Sequence, residues 1–233
     1  MNKLAIITAR GGSKRIPKKN IKEFCGKPII AYSIEAALES GAFDEVMVST
    51  DSEEIAEIAK RYGAKIPFMR SEETSNDFAT TSDVLFEVFD NYAKRGEKIE
   101  YACCIYPTAP FATADKLKSA MDKLINEKAD TVFPVLPYSY PPQRGLAVRE
   151  GVIRFVQPEH MFTRSQDLEP MYHDAGQFYA MNVEAFSKSH SVLAGRVLPL
   201  IISELEAQDI DTETDWKLAE LKYQLMTEKT QVK

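Results

Sequence analysis

Residues 8–20, "TARGGSKRIPKKN", set five basic side chains (Arg10, Lys14, Arg15, Lys18 and Lys19) around Gly11-Gly12, directly behind an apolar run at 4–7. Such a loop suits a phosphate. Glycines let backbone approach the anion and offer N–H groups to it. Arg10 adds a bidentate donor, and Lys14 and Lys19 add point charges. The stretch fits neither G-x-x-x-x-G-K-[ST] nor G-x-G-x-x-G. Its place after a strand is nevertheless where ligands bind in open α/β sheets. The plainer alternative, a solvated basic turn stiffened by Pro17, does not account for that position.

A second cluster is "DID" at 209–211. In extended backbone side chains alternate, so Asp209 and Asp211 share one side while Ile210 faces the core. Two carboxylates on one side suit Mg²⁺ that takes its other ligands from phosphates and water. The competing reading is that Asp211 or Thr212 caps the last helix, with Asp215 in a capping-box role. A third candidate is "YPTAPF" (106–111), whose prolines fix a turn and whose Thr108 offers a hydroxyl at a strand end. Asp51 in "STDS" reads as a helix N-cap. His160, His173 and His190 lack ligand-like spacing, and no Ser-His-Asp or Cys-His nucleophile stands out.

These groups need a scaffold. Short apolar runs at 3–8, 45–50, 100–106 and 131–137 read as buried strands. Helical periodicity over 27–41, 51–63, 80–96 and 115–129 separates them. Ile30, Ile34, Ala37 and Leu38 make the apolar face of the first helix; Val84, Leu85, Val88, Phe89 and Tyr92 make that of the third. The 51–63 helix carries Asp51 as N-cap, Glu54 three residues on, and Gly63 as its stop. The alternation predicts one α/β domain over 1–233 with a mostly parallel, helix-flanked sheet. It breaks over 138–174, rich in Pro, Arg and aromatics, with a strand candidate at "GVIRFVQ"; a long irregular insertion reads as a lid or an interface arm. "GQFYAMNV" and "RVLPLIIS" return to strand, and 212–229 closes the chain as an amphipathic helix.

Composition narrows the partners. Net charge is −6 over 233 residues. Residues 10–27 carry +6, which leaves −12 on the rest. A basic spot on an acidic body suits a small polyanion such as a nucleotide and disfavours nucleic acid, which needs a broader stripe. No run is long enough to span a bilayer, and the adjacent Cys103 and Cys104 suit a buried, reduced strand. A cytoplasmic protein is expected.

"ARGGSKRIPKKN", "STDSEEIAEIA", "YPTAPF", "DAGQFY" and "DIDTETD" occur in the order found in acylneuraminate cytidylyltransferases, and the chain resembles that family over essentially its whole length. "YPTAPF" and "RSQDLEPMYHDAGQFY" resemble the branch acting on pseudaminic acid. The resemblance implies a nucleotide-diphosphosugar-transferase-like fold. It also implies transfer of CMP from CTP to the anomeric hydroxyl of a nonulosonic acid, with Mg²⁺. Arg10 and Lys19 match the residues that bind the triphosphate and stabilise charge at the α-phosphate. Ala9, Gly11, Ser13, Lys14 and Asn20 match further nucleotide contacts, and Arg70, Ala79 and Thr81 the frame of cytosine and ribose. Asp209 and Asp211 match the metal pair. Tyr106, Thr108, Gln177 and Tyr179 correspond to the sugar pocket. Arg144 and Arg164 sit where relatives send basic residues across a homodimer interface, making 138–174 a dimerisation arm.

Two positions depart from the pattern. Tyr106 stands where sialic-acid-specific members commonly have Gln, and Ala180-Met181 where the pseudaminic branch usually reads Trp-Gly, a change that bears on the sugar pocket. The group taking the hydroxyl proton is open between a metal-bound water and Asp209. Rival readings are the same chemistry on legionaminate, N-acetylneuraminate or 3-deoxy-octulosonate, and a non-catalytic CTP-binding module.

Overall fold

β1 (Lys3–Thr8) lies inside the sheet of a computed structural model that describes residues 2–13 and 15–231, the side chains of 229–231 excepted. Leu4, Ala5, Ile6 and Ile7 are all fully buried, as a strand covered on both faces requires. A small hairpin follows, β2 (Glu23–Phe24) and β3 (Lys27–Pro28). Its two turn residues, Cys25 and Gly26, both have positive φ, 45° and 96°. Next come α1 (Ile29–Glu39), β4 (Glu45–Ser49), α2 (Glu53–Arg61), α3 (Thr81–Lys94), β5 (Tyr101–Ile105), α4 (Ala114–Asn126) and β6 (Thr131–Pro137). The chain ends through β7 (Leu146–Arg149), β8 (Val152–Phe155), β9 (Tyr172–Asp174), β10 (Phe178–Asn182), α5 (Val183–Ser189), β11 (Val197–Ile201) and α6 (Glu213–Gln231).

The main sheet has the order β11-β6-β10-β5-β1-β4, with β9 added to β6. β11, β6, β5, β1 and β4 run one way; β10 and β9 run against them. The expected α/β fold with a mixed, mostly parallel sheet is therefore present. Alternation sends Ala5, Ile7, Val48 and Cys103 to the face covered by α1, α2 and α4. Leu4, Ile6, Met47 and Cys104 go to the face covered by α3 and α5. The two adjacent cysteines thus point to opposite sides of the sheet, both buried and free.

Several local expectations change. The first helix starts at Ile29 because Lys27 and Pro28 belong to β3, and its Leu38 is half-exposed. Ser52, and not Asp51, caps α2: its Oγ accepts from the Ile55 N–H at 3.4 Å. Glu54 takes no part in a capping box and instead accepts from Lys18 Nζ at 2.7 Å. In 138–174 the strand candidate is β8, and it pairs with a strand over "LAVR" too short to show a period. The β7–β8 hairpin has no partner in the main sheet and exposes Leu146, Val148, Val152 and Ile153. Ala180 and Met181 are both fully buried in β10, opposite Cys103 and Ala102. They pack in the clusters on the two faces of the sheet and line neither cleft described below.

Candidate active site

The basic loop leaves β1 and is pinned at three points. Asp51, just after β4, accepts from the Gly11 N–H at 2.8 Å. A Cβ on Gly11 would stand 3.2 Å from that of Ser52, tighter than ordinary contact, so a side chain there would press on the cap of α2. The buried Asn20 closes the loop by donating from Nδ2 to the Arg10 carbonyl at 2.8 Å, after a left-handed Lys18 (φ 52°) turns the chain. Ile16, fully buried, packs in one cluster with Phe24, Phe111, Trp216 and Ile210. That cluster brings the loop against residues nearly two hundred positions away.

Around Ile210 the backbone alternates as anticipated: Asp209 is exposed, Ile210 buried, Asp211 partly exposed. Asp211 Oδ2 lies 2.7 Å from Arg15 Nη1, and Oδ1 lies 3.6 Å from Lys19 Nζ. Lys19 also donates to the Ile210 carbonyl at 2.7 Å. The capping role falls to Thr212, whose Oγ1 accepts from the Asp215 N–H at 3.2 Å while Asp215 accepts the Thr212 N–H at 2.8 Å. The alternation and the helix cap expected of this stretch are thus both present, on different residues. Arg10 reaches across the loop mouth to Asp77 Oδ1 (3.0 Å) and the Asn76 carbonyl (3.2 Å).

Two clefts adjoin. The first, about 410 Å³, is lined on one side by Arg10, Ser13, Arg15, Lys19 and Asn20, and on the other by Tyr106 and Thr108. The second, about 520 Å³, shares Tyr106 and Thr108 and is walled by His173, Asp174, Asp209 and Lys222. The Tyr106 N–H donates to the Gln177 carbonyl at 2.9 Å, and its own carbonyl accepts from Ser33 Oγ at 2.8 Å, so the shared wall is anchored to β10 and α1. Its ring lies edge-on to Tyr179, centroids 5.8 Å apart. The Tyr179 hydroxyl donates to Asp174, and burial pushes both phenols above their usual range, which keeps them protonated donors. Gln177 gives Nε2 to the Glu206 carbonyl at 2.7 Å, while its Oε1 is buried without a partner.

Other anticipated residues line neither cleft, although Thr81 hydrogen-bonds the shared-wall Tyr106. Arg70 is buried behind β4, its Nη2 donating to the Ser49 carbonyl at 2.6 Å and its Nε to Ser49 Oγ at 3.0 Å. Burial lowers its pKa, against the opposing pull of Asp51 and Glu87. Ala79 is held by Asn76 Oδ1 at 3.0 Å, and Thr81 opens α3. None of these three lines the first cleft. Arg144 donates to Ser165 Oγ at 3.3 Å, and Arg164 pairs with Asp167 at 2.9 Å; both stay within the arm, outside either cleft. Ala9 is buried, donating its N–H to the Ser49 carbonyl, and Lys14 lies outside the described residues. Sequence reasoning missed Arg15 as the partner of Asp211, Asp51 as the tether of Gly11, and Lys222. An acid at a strand end reads first as a cap, and the partnerships of Arg15 and Lys222 depend on packing between distant segments.

A basic strand-end loop, an acidic pair beside it and a second cleft sharing one wall define a nucleotide-binding α/β protein arranged to join two ligands. The chain belongs to the cytidylyltransferase family, which it matches over residues 4–219. It is 40% identical over 226 residues to the pseudaminic acid cytidylyltransferase of Campylobacter jejuni (serotype O:2), covering 97% of each chain. It is 35% identical over 230 residues to the CMP-N,N′-diacetyllegionaminic acid synthase of Legionella pneumophila, covering 94% of this chain and 95% of that one. In fold it resembles a CMP:2-keto-3-deoxy-manno-octonic acid synthetase solved with CTP, at a TM-score of 0.69 and 16% identity, over 98% of this chain and 100% of that one.

Proposed function

We propose that this enzyme transfers CMP from CTP to the C2 hydroxyl of a nonulosonic acid, pseudaminic acid by preference, releasing pyrophosphate. The observation that carries the reading is the pair of adjoining clefts, one cationic, meeting at Tyr106 and Thr108 beside Asp209 and Asp211. The 40% identity to a pseudaminic acid enzyme supports the choice of sugar.

The triphosphate takes the first cleft, with Lys19, Arg15 and Arg10 as its cations. The acceptor takes the second, and its hydroxyl oxygen attacks the α-phosphorus in line as the bond to the β-phosphate oxygen breaks, the hydroxyl proton passing to Asp209 or to water. Charge grows on the phosphoryl oxygens and on departing pyrophosphate, so Lys19 and Arg10 act most strongly in the transition state. Arg10 must exchange Asp77 for phosphate when CTP enters. Asp209 and Asp211 offer the hard oxygen donors that suit Mg²⁺. No group of three or more His, Cys, Asp or Glu able to hold a metal occurs among the described residues, so phosphates and water would complete its shell. When bound, the ion supplies positive charge to the phosphate oxygens. Arg70, Ala79 and Thr81 line neither cleft, so in this reading the nucleoside extends beyond the first cleft toward α3 to reach them.

The arm's exposed apolar side chains and Arg144 and Arg164 support a homodimer in which each arm completes the partner's acceptor cleft. No helix among the described residues is long and apolar enough to cross a membrane, which is compatible with a cytoplasmic enzyme.

The test is incubation with CTP, Mg²⁺ and a panel of nonulosonic acids and 3-deoxy-octulosonate, with CMP-sugar read by mass and pyrophosphate by coupled assay. Pseudaminic acid should turn over fastest. Preference for legionaminate or N-acetylneuraminate would overturn the sugar. CTP binding without pyrophosphate release from any acceptor would reduce the protein to a binding module.

A further inference from the structure

The lining of the second cleft carries three carboxylates, Asp174, Glu204 and Asp209, and one ammonium side chain, Lys222. Lys222 comes from α6, beyond the residues that the family match spans. Its Nζ donates to the carbonyls of Ala207 at 2.9 Å and Glu204 at 3.2 Å. Among the described residues no carboxylate pairs with it, whereas Lys22, Lys27 and Lys116 each sit on a glutamate. Two carbonyls occupy two of an ammonium's three donors, so one donor and a full charge stay uncompensated at the cleft wall. His173, the other basic side chain there, has Nδ1 3.0 Å from the carbonyl oxygen of Asp174.

We propose that Lys222 binds the C1 carboxylate of the acceptor and selects sugars that are α-keto acids. The proposal rests on the reading of the second cleft as the acceptor site. A carboxylate entering beside Asp174 and Glu204 meets repulsion that a local cation such as Lys222 offsets. C1 adjoins C2, so a grip on the carboxylate orients the attacking hydroxyl toward the first cleft. The two carbonyl bonds hold the ammonium in place before the sugar arrives, which lowers the ordering cost of binding.

The experiment varies the sugar at saturating CTP for the wild type, Lys222→Gln and Lys222→Arg, each with the acid and with its C1 carboxamide. Loss of one charge-assisted contact should raise KM for the acid about ten- to a hundredfold in Lys222→Gln. KM for CTP should stay unchanged, and Lys222→Arg should recover most of the loss. The carboxamide should be poor with wild type and no worse with Lys222→Gln. Equal losses on acid and carboxamide, or none on either, would overturn the assignment, since a structural role cannot tell the two apart. If the wild type turns over no acceptor, the functional reading fails separately. Calorimetric binding of the acid against its carboxamide then decides Lys222, equal affinity for the wild type and Lys222→Gln overturning it.

Discussion

At the scale of single residues the site is a set of exchanged partners. Asp51 looked like a cap and instead spends its carboxylate on the Gly11 N–H, with the buried Arg70 beside it. Asp51→Ala frees Gly11 and should raise KM for CTP about tenfold while kcat falls less, because the loop loses preorganisation and not a transition-state cation. Asp51→Asn, which keeps an acceptor oxygen, should retain most of the affinity. Steady-state kinetics with CTP varied checks both. Asp211 faces Arg15 and Lys19, and in the proposed reaction it would help hold Mg²⁺. Asp211→Asn should cut turnover about a hundredfold or more and leave the melting temperature within a few degrees, since its side chain is partly exposed and caps nothing. Normal turnover in that variant would sink the metal assignment.

At the scale of elements, what matters is how α6 and the short turn at 204–206 reach the clefts. Phe24, Tyr32, Trp216 and Tyr223 meet edge-on, with centroids 5.1 to 5.6 Å apart, and lock α6 onto α1 and the β2–β3 hairpin. The 204–206 turn supplies carbonyls to Gln177 and Lys222, and Glu206 holds it. Burial alone would raise the Glu206 carboxyl, but hydrogen bonds from the Ser203 hydroxyl and N–H and from Lys116 outweigh it and bring the group to about 2. A folded-state value below the unfolded one means the stabilisation is present above the ordinary carboxyl range and lost as pH falls toward 2. Denaturant titrations should therefore show stability declining between about pH 4.5 and 2, with a shallower slope in Glu206→Gln. Identical slopes would mean that Glu206 adds nothing to acid sensitivity.

At the scale of the whole molecule the arm is the unsolved surface of a single chain. Leu146, Val148, Val152 and Ile153 are all more than half exposed on a hairpin that adds to no sheet, and Phe162 is 92% exposed. Exposed apolar side chains gathered on one insertion mark an interaction site. The proposed dimer predicts that Val148→Asp with Ile153→Asp gives a monomer in sedimentation, still binding CTP but with turnover reduced at least tenfold through loss of the partner's Arg144 and Arg164. A fully active monomer would show that one chain holds the complete acceptor site.

Hydrophobic period and punctuation determined most of this architecture without tertiary information. β1 and β6 begin and end where their apolar runs do, because a strand buried on both faces must be apolar throughout. The basic loop and the Asp209–Ile210–Asp211 alternation were legible too, since both follow from local backbone geometry. β7 and α5 were not, four and seven residues being too short to show a period of their own. Only the folded chain could decide that Ile16 and Ile210 share a cluster, that Arg15 meets Asp211, and that Lys222 stands in the second cleft with, among the described residues, no carboxylate paired to it. Contacts between segments so far apart depend on how α6 packs across α1 and the basic loop. The strand-end loop states its chemistry in its own residues; the partner of each charge is chosen by packing.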